Sequence, residues 1–196
     1  MRHFLFDFDG TITRRELLPE IGKMCGLERE IGELTKLTVA GVIPFQTSLE
    51  RRVDLLRRVP VSDVQKVVET VPKHEKIVEF IRAHANRCHI VTGNLDAWIG
   101  PACRSLTHSL FCSKARTEGD RLLGLVEVLD KGALAQAFPF PFVAIGEGHS
   151  DAGMMEIAEV GVAFGSIHEP ANSVTEVCSH KIYDEHRLCR FLQQLL

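Results

Sequence analysis

Short apolar runs recur along most of the chain, and they predict a buried sheet. The first covers residues 3–8 and is interrupted by one acid, and similar runs cover residues 86–91, 142–145 and 160–164. Continuous apolar runs of this length are typical of strands that are buried on both faces of a parallel sheet. A shorter run at 181–183 predicts an edge strand.

Helical patterns fill the intervals between these runs, at residues 74–85, 96–106, 131–137, 151–158, 169–178 and 185–196. Strands that alternate with helices predict an α/β domain with a mainly parallel sheet. The segment 110–129 departs from this alternation, because Gly119-Asp120 in its middle predicts the turn of a small β-hairpin.

Residues 14–72 show only helical periodicity. Apolar side chains recur there at helical intervals: Leu17, Ile21, Met24, Ile31, Leu34 and Leu37, then Phe45, Leu49, Val53 and Leu56, then Val64, Val67, Val68 and Val71. We therefore predict three or four helices inserted after the first strand, with a break at Gly26. They would form a lid, or cap, on a core made of residues 1–13 and 73–196.

Composition excludes several classes of function. The 196 residues are 45% apolar, which allows one compact domain with a small insertion. The net charge of −3 gives no electrostatic footprint for a nucleic acid or a membrane surface as partner. No apolar run approaches the ~20 residues that span a bilayer, and no signal-peptide pattern is present, so we expect a cytoplasmic protein. The scattered cysteines are typical of reduced core thiols.

Reactive side chains follow the ends of three predicted strands. Asp7 and Asp9 end the first, Thr92 and Gly93 follow the second, and the acids of segment 147–151 follow the third. In an open parallel sheet, ligands bind beyond the carboxyl ends of the strands. We therefore expect these three groups to meet in one site.

The acids in this set predict a bound cation. Two carboxylates at close range repel each other unless a cation or proton lies between them. Mg²⁺ is suited to this place, because it prefers oxygen ligands and is often completed by a substrate phosphate. We predict Mg²⁺ bound by Asp7, Asp9, Glu147 and Asp151. One carboxylate can attack phosphorus, and a second can protonate the leaving alkoxide and then activate water.

A transferred phosphoryl group also needs hydrogen-bond donors for its spreading negative charge. The Thr92 hydroxyl and the backbone N–H groups around Gly10, Thr11 and Gly93 are candidates. Lys131 is the best candidate lysine, because it stands at the start of a predicted helix, where the dipole favours anions.

The order of these motifs resembles the haloacid dehalogenase superfamily, and within it the phosphoserine phosphatase branch. The motifs are F-D-F-D-G-T-I-T at 6–13, T-G at 92–93, a lone Lys131, and G-E-G-H-S-D at 146–151. The resemblance implies a Rossmann-like core with a helical cap. It also implies that Asp7 is the nucleophile and Asp9 the acid and base, that Thr92 and Lys131 bind phosphate, and that the metal lies among Asp7, the Asp9 carbonyl and Glu147.

The predicted cap resembles that branch as well. In those enzymes a glutamate binds the substrate ammonium, an arginine binds its carboxylate, and a phenylalanine closes the pocket. Glu16, Arg52 and Phe45 occupy the matching positions. Phe45 and Arg52 lie seven residues apart and so share one helix face, and arginine can bind a carboxylate bidentately.

Three positions depart from the pattern of that branch. Glu147 replaces the usual aspartate, Ser150 replaces a common asparagine next to His149, and Asn94 adds a side chain where glycine is usual. Together they suggest an altered geometry or a substrate other than phosphoserine. His149 is interpreted either as a loop residue or as a proton shuttle.

The sequence therefore predicts a magnesium-dependent phosphatase. It would hydrolyse a small phosphorylated metabolite that bears amino and carboxylate groups, through an aspartyl-phosphate. Two alternatives stay open: phosphotransfer to an acceptor alcohol, and a catalytically weakened relative that binds its ligand without turnover. A dehalogenase is disfavoured, because that branch lacks the second aspartate. A monomer and a homodimer are both compatible with the sequence.

Overall fold

A computed structural model describes residues 1–39 and 42–196. Its strands are β1 (His3–Phe6), β2 (Cys88–Leu95), β3 (Leu110–Glu118), β4 (Arg121–Glu127), β5 (Phe142–Gly146), β6 (Val160–Phe164) and β7 (His180–Ile182). They form one sheet in the order β4-β3-β2-β1-β5-β6-β7, and only the β3–β4 pair is antiparallel. The predicted parallel sheet is confirmed, with β1 in its centre.

The helices are α1 (Leu17–Cys25), α2 (Glu28–Val39), α3 (Phe45–Leu56), α4 (Val61–Thr70), α5 (Glu75–Ala83), α6 (Asp96–Arg104), α7 (Lys131–Ala137), α8 (Ala152–Ile157), α9 (Asn172–Val177) and α10 (Glu185–Gln194). In the part of the chain that the structure describes, none is long and apolar enough to cross a bilayer.

Two apolar layers cover the two faces of the sheet, as the alternating side chains of β1 require. Phe4 and Phe6 belong to the larger core cluster, and the Phe4 ring packs edge-on against Phe80 of α5 at a centroid distance of 5.3 Å. Leu5 points to the other face and packs in a second cluster with Met154 and Met155 of α8. This arrangement buries β1 on both sides and fixes the position of the residues that follow it.

The second strand is longer than the sequence predicts. The prediction ends it at residue 91, but β2 continues to Leu95 because β3 pairs with it in parallel. Thr92 pairs with Cys112 and Leu95 pairs with Ser113, so the two residues between them bulge out of the ladder. The predicted hairpin is also part of the main sheet, because its first strand, β3, pairs with β2.

Four helices lie between β1 and α5, within the range of the predicted insertion, of which residues 40 and 41 lie outside the described part. The chain leaves and returns to the core at adjacent points. Thr13 forms an antiparallel bridge with Lys73, and the Arg14 N–H donates to the Pro72 carbonyl at 2.7 Å. The division into a core and a cap at these points stays a prediction.

Candidate active site

The loop after β1 is closed by its own hydrogen bonds. The Thr13 hydroxyl accepts a hydrogen bond from the Gly10 N–H at 3.1 Å and lies 2.8 Å from the Arg15 carbonyl, to which it can donate. Gly10 has a φ of 70°, which favours glycine. A Cβ atom at Gly10 would lie 2.6 Å from Glu147 Oε1, so glycine also allows the loop after β5 to approach.

Lys131 lies between two buried carboxylates. Its Nζ is 2.7 Å from Asp7 Oδ1 and 2.6 Å from Asp151 Oδ1. The other oxygen of Asp151 accepts hydrogen bonds from the Glu147 and Gly148 N–H groups, both at 2.9 Å. Asp151 therefore orients Lys131 and the loop after β5 together.

The charges of this group are not balanced. Burial raises the pKa of Asp7 and the Asp151 carboxylate raises it further, while Lys131 opposes both effects. Burial lowers the pKa of Lys131, but the two carboxylates more than offset this, and its pKa lies above the ordinary value. One ammonium faces two carboxylates in a buried place, so the group favours the arrival of a further cation.

Asp9 is held by one hydrogen bond at each carboxylate oxygen. Oδ1 accepts from the Leu17 N–H at 2.8 Å, and Oδ2 accepts from Asn94 Nδ2. Burial, followed by the nearby Glu16 carboxylate, raises the pKa of Asp9 to about 7. A carboxyl group with that pKa can donate or accept a proton near neutral pH, as an acid–base catalyst must.

The predicted phosphate-binding groups from the first two strands lie at one edge of the sheet. Phe6 of β1 pairs with Ile90 of β2, which places the residues that follow both strands side by side. Thr92 is buried, and its hydroxyl accepts the Asn94 N–H at 3.2 Å. The buried Thr11 hydroxyl has no hydrogen-bond partner among the described residues, so it is available to a ligand.

Phe45 connects the inserted helices to this edge. It is the first residue of α3, and a Cβ atom at Gly93 would lie 2.5 Å from Phe45 Cζ. The ring therefore covers the backbone of Gly93, and the predicted role of Phe45 in closing the pocket stays a prediction.

Arg52 is a buried cation with few partners. Its Nη2 donates to the Thr35 hydroxyl at 3.0 Å, while its Nε has no partner and no carboxylate pairs with it in residues 1–39 and 42–196. Burial lowers the pKa of Arg52, and the Asp9 and Glu16 carboxylates oppose this, which places them in its electrostatic range. A buried guanidinium without a counter-ion is costly, so this position favours an anionic ligand.

His168 is part of the site, although sequence reasoning did not find it. Its Nδ1 lies 2.8 Å from Glu147 Oε2 and its Nε2 lies 3.2 Å from Glu16 Oε1. Interactions with these two glutamates raise the pKa of His168 to about 10. Burial raises the pKa of Glu147, and His168 opposes it. His168 lies in the loop between β6 and α9, outside all of the motifs described above.

Of the three positions that depart from the branch pattern, Glu147 and Asn94 lie in the site. His149 and Ser150 are exposed in a short 3₁₀ turn, where His149 Nδ1 lies 2.7 Å from the Ser173 hydroxyl. Neither forms a hydrogen bond to Asp7, Asp9 or Lys131 in the described structure, and their predicted roles stay predictions.

The donor atoms fit a hard divalent cation. Asp7 and Glu147 offer oxygen atoms in a buried place, although Glu147 Oε2 also lies 2.8 Å from His168 Nδ1. Asp9 is half-buried and both of its side-chain oxygens accept hydrogen bonds, so its ligation stays a prediction. Oxygen ligands with excess negative charge are the set that Mg²⁺ prefers. Both oxygens of Asp151 already accept hydrogen bonds, so its direct ligation stays a prediction.

Known proteins are similar to this chain in sequence. Residues 4–156 match the haloacid dehalogenase-like hydrolase family. A phosphoserine phosphatase of Methanocaldococcus jannaschii is 29% identical over 176 residues, which cover 82% of this chain and 83% of that protein. Another, from Archaeoglobus fulgidus, is 26% identical over 181 residues, which cover 84% of this chain and 53% of that protein.

Solved structures extend the likeness to the fold. A phospho-aspartyl intermediate analogue of phosphoserine phosphatase superposes with a TM-score of 0.81 at 25% identity, covering 97% of this chain and 98% of that one. The chain belongs to the haloacid dehalogenase-like hydrolase family. Within that family it is a phosphoric monoester hydrolase that is similar to the phosphoserine phosphatases.

Proposed function

We propose that this chain is a magnesium-dependent phosphatase that hydrolyses a small phosphate monoester through an aspartyl-phosphate. The substrate is phosphoserine or a similar metabolite that bears amino and carboxylate groups. The observation that carries this proposal is the buried contact of Lys131 with Asp7 and Asp151 at the end of the central strand. This contact supports Asp7 as the nucleophile, because it lies beside a cation that can bind a phosphate oxygen.

In the first step, an oxygen of Asp7 forms a bond to phosphorus and the ester P–O bond breaks. Asp9 donates its proton to the leaving oxygen, and its pKa of about 7 suits this role. In the second step, Asp9 takes a proton from water, the water oxygen attacks phosphorus, and Asp7 is released with inorganic phosphate. Thr11, Thr92, Lys131 and the Gly93 N–H bind the phosphoryl oxygens. The Gly10 N–H would join them only by leaving its hydrogen bond to the Thr13 hydroxyl.

Asp7, Asp9, Glu147 and Asp151 would hold the Mg²⁺. The burial of Asp7, Glu147 and Asp151 and the excess negative charge support this set. When bound, the ion neutralises charge on the phosphoryl oxygens and on Asp7, which lets the anionic nucleophile approach an anionic ester.

The inserted helices supply the substrate specificity in this proposal. Arg52 binds a carboxylate of the substrate, which its burial without a counter-ion supports. Glu16 binds the ammonium group, and Phe45 closes the pocket over Gly93. Residues 14–72 then act as a cap on the core.

Phosphate release from a panel of phosphorylated metabolites tests the function. We expect turnover with Mg²⁺, none after chelation, and a loss of at least about 10³-fold in Asp7→Asn, because the amide is not a nucleophile. Asp54→Asn, at an exposed position of α3, is the control and keeps full activity. If no monoester is turned over, or if Asp7→Asn equals the parent, the proposal is wrong. Added glycerol distinguishes hydrolysis from phosphotransfer, since a transferase would form glycerol phosphate.

A further inference from the structure

Asn94 forms a hydrogen bond with one of the two side-chain oxygens of Asp9, the residue that we propose transfers the proton. Its side chain is only 5% exposed, and its Nδ2 donates a hydrogen bond to Asp9 Oδ2. With its nitrogen facing Asp9, the Asn94 amide keeps Asp9 Oδ2 as a hydrogen-bond acceptor. This contact therefore fixes the orientation of the Asn94 amide.

The rest of the surroundings do not explain why an asparagine stands there. Asn94 Oδ1 is buried and accepts no hydrogen bond from the described residues. A buried amide that served packing alone would have both ends satisfied or would be replaced by an apolar residue at less cost. The hydrogen bond to Asp9 is the interaction that the side chain makes in this place.

The backbone presents Asn94 to Asp9 through the bulge in β2. The ladder with β3 shifts between Thr92 and Leu95, and the Ser113 hydroxyl donates to the Gly93 carbonyl at 2.7 Å. The bulge is therefore tied to the neighbouring strand. Asp9 accepts hydrogen bonds from two elements: from the Asn94 side chain on β2 and from the Leu17 N–H at the start of α1.

We propose that Asn94 is a positioning residue that fixes the Asp9 carboxyl group for proton transfer to the leaving-group oxygen. The inference rests on the proposed phosphatase function and assigns a role to a side chain that the resemblance leaves as a departure. Asn94 acts through Asp9 and transfers no proton itself.

The chemistry of the first step gives this role a distinct signature. The bond from Asp7 to phosphorus forms, the ester P–O bond breaks, and the Asp9 proton passes to the departing oxygen. An alkoxide leaves poorly unless it receives that proton, whereas p-nitrophenolate is a stable anion and leaves without it. Loss of Asn94 should therefore affect alkyl esters much more than p-nitrophenyl phosphate.

The test compares kcat/KM for the best alkyl monoester of the panel and for p-nitrophenyl phosphate, because kcat/KM covers the step in which the leaving group departs. In Asn94→Ala and in Asn94→Leu, which keeps similar bulk without the amide, we expect a loss of about 10- to 100-fold for the alkyl ester, the range of one hydrogen bond to a charged group. For p-nitrophenyl phosphate we expect a loss of less than about 3-fold, because that leaving group needs no proton. Asn86→Ala, at an exposed residue before β2, is the matched control and leaves both values unchanged.

The outcomes separate the possible failures. Equal losses for both esters in both variants would mean that Asn94 serves the fold or the phosphoryl site, and the proposal would be wrong. Unchanged values for both esters would overturn it as well. Residual p-nitrophenyl phosphatase activity reports whether each variant is folded. A parent protein without activity on any ester would instead refute the phosphatase function itself.

Discussion

At the scale of single residues, Asp9 is a site where function and stability oppose each other. Its folded pKa of about 7 lies above the ordinary aspartate value of 3.8, so the folded state binds this proton more tightly than the unfolded chain does. The stabilising contribution is complete below the unfolded pKa and is lost as the pH rises through the folded pKa. Ionised Asp9 therefore destabilises the metal-free fold at neutral and alkaline pH.

We predict that Asp9→Asn stabilises the chelator-treated protein at about pH 8 while it abolishes turnover. The gain in the free energy of unfolding should be about 1–2 kcal/mol, because the amide avoids a buried charge but has one oxygen fewer to accept hydrogen bonds. Urea unfolding across pH 4 to 8 measures it, and the variant should show the flatter pH dependence.

The exposed Asp54→Asn is the control and should follow the parent at every pH. A parent whose stability does not fall between about pH 4 and 7 relative to Asp9→Asn would contradict the raised pKa.

The site residues differ in how far the sequence alone could predict them. Asp7, Asp9, Lys131 and Asp151 stand next to strand or helix ends, so the meeting of strand tips in a parallel sheet brings them together. His168 follows β6 in a loop without a motif, and only the packing of that loop against Glu147 places it in the site. Tertiary contacts of this kind leave no signal in local periodicity.

At the scale of elements, the inserted helices contain two glycines in different surroundings. Apart from its own stretch of helix backbone, Gly32 in α2 has no heavy atom of the described residues within 4 Å of the place where a Cβ would lie. Gly22 in α1 would set a Cβ 3.3 Å from the Leu27 carbonyl oxygen and from Ile31 Cβ. The first glycine is therefore free to change, and the second allows α1 and α2 to pack closely.

We predict that Gly32→Ala raises the free energy of unfolding by about 0.5–1 kcal/mol, because alanine loses less backbone entropy in a helix. Gly22→Ala is the matched comparison, with the same chemical change at a crowded position, and it should be neutral or destabilising. Thermal and urea unfolding of both variants measure the difference. If Gly22→Ala is the more stabilising of the two, the described packing of α1 on α2 is wrong.

Element boundaries, like the site residues, can be predicted from the sequence only where local interactions determine them. Helix α7 begins and ends where the sequence predicts, because Asp130 caps it by accepting the Ala133 N–H at 3.0 Å. Strand β2 runs four residues past its predicted end, through polar residues that resemble a turn. A partner strand twenty residues away in sequence decides its length, and the apolar pattern of β2 contains no information about that partner.

At the scale of the whole molecule, hydrogen bonds connect the inserted helices to the β3–β4 hairpin. Asp120 in the hairpin turn accepts hydrogen bonds from the Ser62 N–H and the Ser62 hydroxyl, both at 2.7 Å, and its carbonyl accepts the Val61 N–H at 3.0 Å. Arg57 donates to the Leu123 carbonyl at 2.8 Å. The start of α4 and the hairpin are therefore expected to open and close together.

We predict that Asp120→Ala raises hydrogen exchange at both ends of this tie, at residues 58–66 and 116–124, and leaves that of β1 and β5 unchanged. The substitution removes two exposed hydrogen bonds, so we expect an increase of a few-fold in local opening. Glu118→Ala, at an exposed position of the same hairpin, is the control. If the hairpin alone exchanges faster while the start of α4 keeps its protection, the two segments are not coupled.

A phosphate analogue that slows exchange of residues 14–72 in the parent, and less in Asp120→Ala, would link this tie to closure of the proposed cap.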